Sequence, residues 1–103
     1  MPWYMVFSGD LLIGWSMLEA RNRSKATAFG RFVASHIYPT VQTDFMAQRE
    51  DDQKLLGLHV IGDEGELQAY AVHLADYSDH DEGIEIAVYG ITEPPFERLF
   101  PYC

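Results

Sequence analysis

The chain is poor in cysteine, and this limits how it can be stabilised. The one cysteine among its 103 residues is Cys103, at the last position. A single cysteine cannot close an internal disulfide, so we predict a protein of a reducing compartment, the cytoplasm. The sequence also lacks cysteine or histidine pairs at zinc-site spacing, and we expect neither a structural zinc ion nor another cofactor.

Long hydrophobic runs are absent as well. The longest uncharged apolar stretch, residues 11–18, is too short to cross a bilayer. The first residues lack the basic region and the small-residue cleavage site of a signal peptide. A hydrophobic content of 48% nevertheless argues against disorder. We therefore expect one domain, residues 1–103, with a modest core and no contact with a membrane.

Signatures of catalysis are missing too. No serine stands in a Gly-x-Ser-x-Gly elbow, and neither a Gly-x-Gly-x-x-Gly nor a P-loop pattern occurs. Carboxylates are so numerous that no single pair of them points to general acid–base catalysis. We therefore expect a protein that is not an enzyme.

Basic residues are scarce, above all in the second half of the chain. The sequence has 7 lysines and arginines against 16 aspartates and glutamates, for a net charge of −9. Residues 1–40 have a balance of +2, whereas residues 41–103 have a balance of −11. So acidic a half repels nucleic acid and anionic membranes, and it attracts basic protein surfaces. Solubility alone is the other explanation of this charge.

The second half also contains the clearest strand pattern. Residues 55–61, 67–74 and 84–89 each have the length and composition of a β-strand. Turns at residues 62–65 and 76–83 separate them and carry many of the carboxylates. We predict an antiparallel meander whose first turn pairs Val60 with Leu67, Leu58 with Ala69 and Leu56 with Ala71. This register places His59 about 17 Å from His73, too far apart to share a metal ion.

The first half predicts an N-terminal hairpin and a third short strand. Residues 3–8 and 11–18 read as the two strands of the hairpin, with Gly14 marking a bulge or a close backbone approach. Residues 19–27 are polar and basic and predict a loop. Residues 28–34 predict a further strand.

One helix is expected between the two halves. It begins at Pro39, or less favourably at Ser35, and carries Val41 and Phe45 on its inward face. Acidic residues near its C-terminus oppose the helix dipole, so we expect fraying by about residue 52. The predicted fold class is α+β, an antiparallel sheet of about five or six strands with one main helix packed on one face.

The candidate functional residues are the carboxylates of the two turns. We predict that they form a stiff partner-binding face made of Asp63, Glu64, Glu66, Asp76, Asp79, Asp81, Glu82 and Glu85. Residues 76–85 also have enough oxygen ligands for weak calcium binding, but they lack the order of an EF-hand loop. A solvated acidic turn is the better interpretation of that loop.

Two other functions are considered. A small ligand-binding domain or enzyme would use a pocket between helix and sheet, lined by Tyr38, His59, Tyr70 and His73. An oligomer would bury at a self-interface some of the aromatic residues, which make up 14% of the chain and exceed what a small core readily hides.

Several short stretches resemble a pattern of small uncharacterised bacterial proteins. They are residues 14–19 (Gly-Trp-Ser-Met-Leu-Glu), residues 28–33 (Ala-Phe-Gly-Arg-Phe-Val), Tyr38 and Val41-Gln42, with a looser likeness at residues 89–91 and 96–101. The resemblance covers about the first third of the chain. It implies a likeness of fold and carries over no catalytic residue.

In general character the chain is similar to acidic bacterial immunity proteins and to phage-encoded inhibitors of the anti-CRISPR type, some of which mimic DNA. Carboxylates on a rigid surface can reproduce a phosphate array and occupy a groove lined by arginine and lysine. Our hypothesis is therefore a non-enzymatic inhibitor or adaptor that binds a basic protein surface, such as that of a nucleic-acid-binding protein.

Overall fold

The computed structural model describes residues 3–102, and Cys103 lies outside the described part. Within residues 3–102 the chain forms nine β-strands and two short α-helices. The strands are β1 (Tyr4–Ser8), β2 (Leu11–Ser16), β3 (Ala20–Asn22), β4 (Thr27–Arg31), β5 (Val33–Ala34), β6 (Leu58–Gly62), β7 (Gly65–Glu66), β8 (Gln68–Asp76) and β9 (Ile84–Glu93). The helices are α1 (Gln42–Ala47) and α2 (Phe96–Leu99), and short 3₁₀ turns precede several elements.

The strands form two antiparallel sheets. In the described part of the chain, the first sheet has the order β5-β2-β1-β6-β7 and the second has the order β3-β4-β9-β8. The predicted α+β class is therefore confirmed. The finer prediction of one sheet with one main helix is not what the structure shows, because the strands divide between two sheets and both helices are small.

The N-terminal hairpin has the predicted form. β1 pairs with β2, and the register shifts at Val6 and Phe7, where the β2 partner changes from Gly14 to Leu12. The chain also approaches Gly14 closely, since an added Cβ would lie 2.4 Å from both the Phe32 ring and the Val33 carbonyl oxygen. The bulge and the close backbone approach, the two alternatives that the sequence suggested for this glycine, are thus both present.

The predicted meander is only partly formed. The turn at Asp63-Glu64 pairs Gly62 with Gly65, and the Leu67 N–H donates to the Val60 carbonyl at 2.8 Å, as predicted. Beyond Leu67, however, the chain leaves the first sheet, and β8 pairs with β9 instead. The predicted pairs of Leu58 with Ala69 and Leu56 with Ala71 are therefore wrong. The Leu67 side chain is buried at the point where the chain passes from the first sheet to the second, and this burial stabilises the crossing.

Residues 19–34 also differ from the prediction. The expected loop contains β3 and a 3₁₀ turn at Arg23–Lys25, where the Asn22 side chain accepts a hydrogen bond from the Lys25 N–H. The expected single strand is divided into β4 in the second sheet and β5 in the first. The buried Phe32 stands between them, so its ring fixes the point at which the chain crosses from one sheet to the other.

The helical region is shorter than predicted. A 3₁₀ turn spans Tyr38–Thr40 with Pro39 near its start, and α1 then ends at Ala47. Phe45 faces inward as expected and is fully buried. The following residues leave the helix because their side chains bond to β8, most clearly Gln53, whose amide exchanges hydrogen bonds of 2.8 Å with both the N–H and the C=O of Leu74.

One hydrophobic core connects the two sheets. The first sheet contributes side chains such as Val6, Ile13 and Val60, and the second contributes Leu74 and Ile86, all fully buried. Phe45 of α1 and Phe96 and Phe100 around α2 complete this core. Both sheets bury their inner faces in the same cluster. The β6–β7 and β8–β9 turns are therefore attached to a well-packed pair of sheets.

We expect Gly14→Ala to lower the free energy of unfolding by about 1–3 kcal/mol, because the methyl group would overlap the Phe32 ring and the Val33 carbonyl. Urea denaturation followed by tryptophan fluorescence measures this change. Gly83→Ala is the matched control, since its added Cβ would have its nearest neighbour, Arg31 Nη1, at 3.7 Å. An equal loss in the two variants would contradict the close approach at Gly14.

Candidate functional site

The eight predicted partner-binding carboxylates do not form one continuous face. Asp63, Glu64 and Glu66 lie at the β6–β7 turn, before β8 begins, whereas the others lie at or beyond the end of β8. β8 has nine residues, so its ends are about 26 Å apart at ~3.3 Å per residue. The structure therefore divides the predicted face into two acidic groups.

Two of the carboxylates at the β6–β7 turn have a nitrogen-bearing side chain close by. Arg98, from α2, donates a hydrogen bond to the Glu64 carboxylate. His59 Nδ1 lies 3.9 Å from Glu66 Oε1. Asp63 is exposed and forms no ion pair within residues 3–102.

Asp76 has a different role from the predicted one. Its side chain is completely buried, so it cannot contact a partner. The carboxylate accepts hydrogen bonds from the Tyr38 hydroxyl at 2.5 Å, the Ser78 hydroxyl at 2.6 Å, the Ser78 N–H at 2.9 Å and Gln42 Nε2 at 3.0 Å. Asp76 is therefore a structural residue that joins the segment before α1 to the β8–β9 turn.

The hydrogen bonds keep the buried Asp76 ionised. Burial is the largest single effect and by itself raises the pKa of the carboxyl group. The bonds from Ser78, Tyr38 and Gln42 together outweigh it, and the pKa of Asp76 is lowered below its ordinary value. Burial, with the hydrogen bond to Asp76, raises the pKa of Tyr38, so that the phenol keeps its proton.

Arg49 holds the beginning of the β8–β9 turn. Its Nη1 donates to the Asp76 carbonyl at 3.0 Å and to Asp79 Oδ1 at 2.7 Å. The guanidinium also lies over the Tyr77 ring, 4.7 Å from the centroid. The hydrogen bond with Arg49 lowers the pKa of Asp79. Asp79 thus pairs with an arginine of its own fold.

Asp81, Glu82 and Glu85 remain exposed at the same turn. None of the three forms an ion pair with any residue of the described part of the chain. Asp81 adopts a left-handed conformation with φ of 59°, which aspartate tolerates better than most residues and which closes the 3₁₀ turn at Ser78–His80. These three carboxylates are available to a partner.

A concavity of about 430 Å³ lies next to them on the outer face of the second sheet. Glu82 and Glu85 line it together with the aromatic rings of Phe29 and Tyr77. Arg31 also borders it and stands opposite Glu85 in the β4–β9 ladder, and it forms no ion pair with another residue of the range 3–102. Carboxylates beside aromatic rings can receive a guanidinium or ammonium group, through charge and through cation–π contact.

The four residues predicted to line a ligand pocket do not share one cavity. Tyr38 is buried against Asp76, and His73 Nε2 lies 2.7 Å from the Arg49 carbonyl oxygen. His59 and Tyr70 do line a common groove, which is formed by strands and by residues 52–54 and is not lined by α1. Nowhere in residues 3–102 do three or more histidines or carboxylates converge as metal ligands.

Comparison with known proteins finds no matching family model, no matching curated protein and no matching solved structure. Among the helices of residues 3–102, none is long and apolar enough to cross a membrane. The site therefore has to be interpreted from its own geometry.

The sequence reasoning missed the residues that organise the site. Arg49 follows α1 and was expected in a fraying helix end, and Gln53 lies just beyond the expected end, although both bond to β8. A signal for Asp76 was present, since it lies two residues after the buried Leu74 and so on the same face of the strand. No sequence signal places Phe29 beside Glu82 and Glu85, because that proximity depends on the β4–β9 pairing.

We expect Asp76→Ala to lower the free energy of unfolding by about 3 kcal/mol, because it leaves the buried hydroxyl of Tyr38 and its neighbours without an acceptor. Chemical denaturation monitored by circular dichroism measures the loss. Glu82→Ala removes an exposed carboxylate from the same turn and is expected to change stability by less than about 0.5 kcal/mol. Similar values for the two variants would refute the role assigned to Asp76.

The stability difference between the wild type and Asp76→Asn is expected to depend on pH. Because folding lowers the pKa of Asp76, its contribution is present above the unfolded value of about 3.8 and is lost as the pH falls through the lower folded value. Denaturation at a series of pH values should show a difference that is constant at neutral pH and shrinks below about pH 4. A difference that stays constant at low pH would show that Asp76 has no lowered pKa.

Proposed function

We propose that this chain is a non-enzymatic, acidic protein-binding domain that binds a basic surface of another protein through the β8–β9 turn. The observation that carries the proposal is the arrangement of Glu82 and Glu85, exposed and unpaired within residues 3–102, around a concavity that also contains Phe29 and Tyr77. Such a site suits an arginine or lysine side chain that projects from a partner.

The rigidity of the turn supports this proposal. Asp76 and Arg49 tie the turn to β8 and to the segment around α1, so the exposed carboxylates are held in place before a partner arrives. Preorganised groups lose less conformational entropy on binding than flexible ones. The net charge of −9 adds a long-range attraction that speeds the encounter with a basic protein.

An inhibitor or adaptor in the cytoplasm is the class of protein that we propose. Bacterial immunity proteins and anti-CRISPR proteins are inhibitors of similar size and charge. The basic groove of a nucleic-acid-binding protein is a suitable target, because its arginines and lysines are arranged to meet negative groups. For such a target the two acidic groups at the ends of β8 would act as separate contacts.

We expect the double charge reversal Glu82→Lys/Glu85→Lys to weaken binding of the partner by at least about tenfold, because it replaces attraction with repulsion at the concavity. The partner is first captured from cells at low salt with the wild-type protein and identified. Its affinity for each variant is then measured by calorimetry across a range of salt concentrations.

Glu93→Lys/Glu97→Lys is the matched control, since it makes the same change of net charge at two exposed positions elsewhere. It is expected to retain most of the affinity. Equal weakening by the two double variants would show that net charge, and not this site, determines binding. An affinity that does not change with salt would contradict the electrostatic proposal altogether.

A further inference from the structure

Strand β8 forms one edge of the second sheet, and half of that edge is closed by the chain itself. At the C-terminal half, Gln53 bonds to both the N–H and the C=O of Leu74, and Arg49 donates to the Asp76 carbonyl. These side chains occupy the places that a neighbouring strand would take. Such covering is a known protection of sheet edges.

The N-terminal half of the same edge is open. Residues of an antiparallel strand direct both backbone polar groups to the same side, and the side alternates along the strand. Since Leu74 faces outward, Val72 faces outward too, and so does the Tyr70 carbonyl, because it lies opposite the inward N–H of Ala71 in the same peptide unit. The Tyr77 N–H, which donates to the Gly83 carbonyl toward β9, confirms this alternation for the odd-numbered residues. Outside the β8–β9 ladder, no hydrogen bond within residues 3–102 reaches the backbone of Tyr70 or Val72.

This open edge lines a groove of about 540 Å³, a volume within the usual range of ligand sites. The opposite wall is β6, where Leu58 and His59 line the groove. Leu58 lies two residues before Val60, whose carbonyl bonds to Leu67 on this side, so the backbone groups of Leu58 also face the groove. Two strand edges from different sheets thus face one space.

The open edge lacks the usual features that prevent strand pairing. Residues 69–72 (Ala-Tyr-Ala-Val) contain neither a charge nor a proline, and Tyr70 is 91% exposed. Because the edge lies inside a groove, the equally recessed edge of a second copy of this chain would not reach it. A single extended segment of another polypeptide would fit.

The charges around the groove indicate the kind of segment. Asp52 lines it on one side and Glu66 on another, and Lys54 is the cationic residue among those that line it in the described part of the chain. Asp63 lies at the turn next to Glu66, and Glu50 and Asp51 lie next to Asp52. The carboxylates around the groove outnumber its cations, so a basic segment is the complementary one.

We propose that the open edge of β8 at Tyr70 and Val72 binds an extended, basic peptide segment of a partner protein, which adds a strand to the second sheet. Main-chain hydrogen bonds to the two residues would provide the affinity, and alternate side chains of the segment would meet the Tyr70 ring and the acidic rim. This surface is separate from the concavity at Glu82 and Glu85, so it is a second contact beyond the function proposed above.

The test uses a capped hexapeptide of alternating lysine and valine, added to the ¹⁵N-labelled wild-type protein at up to millimolar concentration. We expect amide shifts around residues 66–72 and slower hydrogen exchange of the Val72 amide, because its N–H group becomes hydrogen-bonded. A peptide of the same composition, N-methylated at every residue, has no main-chain donor on either edge and cannot pair as a strand. It should bind at least about tenfold more weakly.

Variants of the protein provide a second test of the same proposal. Val72→Pro removes an outward N–H without removing a bond to β9, and it should abolish binding, whereas Val72→Ala keeps the N–H and should retain part of it. Should Val72→Pro not fold, the N-methylated peptide decides the question on the wild-type protein.

The proposal is overturned by an absence of binding at millimolar peptide, by equal affinity for the N-methylated peptide, or by shifts without slower exchange at Val72. Glu82→Lys/Glu85→Lys should leave the exchange effect unchanged. The two binding surfaces can therefore fail or succeed independently.

Discussion

The buried carboxylate of Asp76 is the group on which the arrangement of the site depends. It accepts hydrogen bonds from Tyr38, Gln42 and Ser78, which come from three parts of the chain: the 3₁₀ turn before α1, α1 itself and the turn after β8. An ionised group in the protein interior is costly unless its hydrogen bonds are satisfied, and here several donors converge on it. Because α1 is too short to be stable by itself, its position against β8 relies on these bonds and on the burial of Phe45.

The same network determines which of the acidic residues are free. Asp76 is buried and hydrogen-bonded inside the protein, and Asp79 pairs with Arg49. These two negative charges therefore stabilise the fold and are not free for a partner. The exposed carboxylates of Asp81, Glu82 and Glu85 lie directly after the segment that this network anchors. Stability and the proposed recognition therefore use neighbouring residues of one segment.

The sequence predicted local features well and long-range features less well. The N-terminal hairpin, the role of Gly14, the turn between Gly62 and Gly65 and the inward face of Phe45 all follow from patterns within a few residues. The change of sheet after Leu67 does not, because nothing in a strand's own composition says which strand it pairs with. The same limit explains why the eight carboxylates were expected on one face, although β8 separates them into two groups.

The account is tested most directly by the titration of Asp76 itself, followed through its carboxyl carbon by NMR in the folded protein. We expect a midpoint clearly below the ordinary aspartate value of about 3.8, together with a simultaneous shift of the Ser78 amide that donates to it. A midpoint at or above the ordinary value would contradict it, because the network would then not hold an ionised carboxylate and could not fix the turn that carries Glu82 and Glu85.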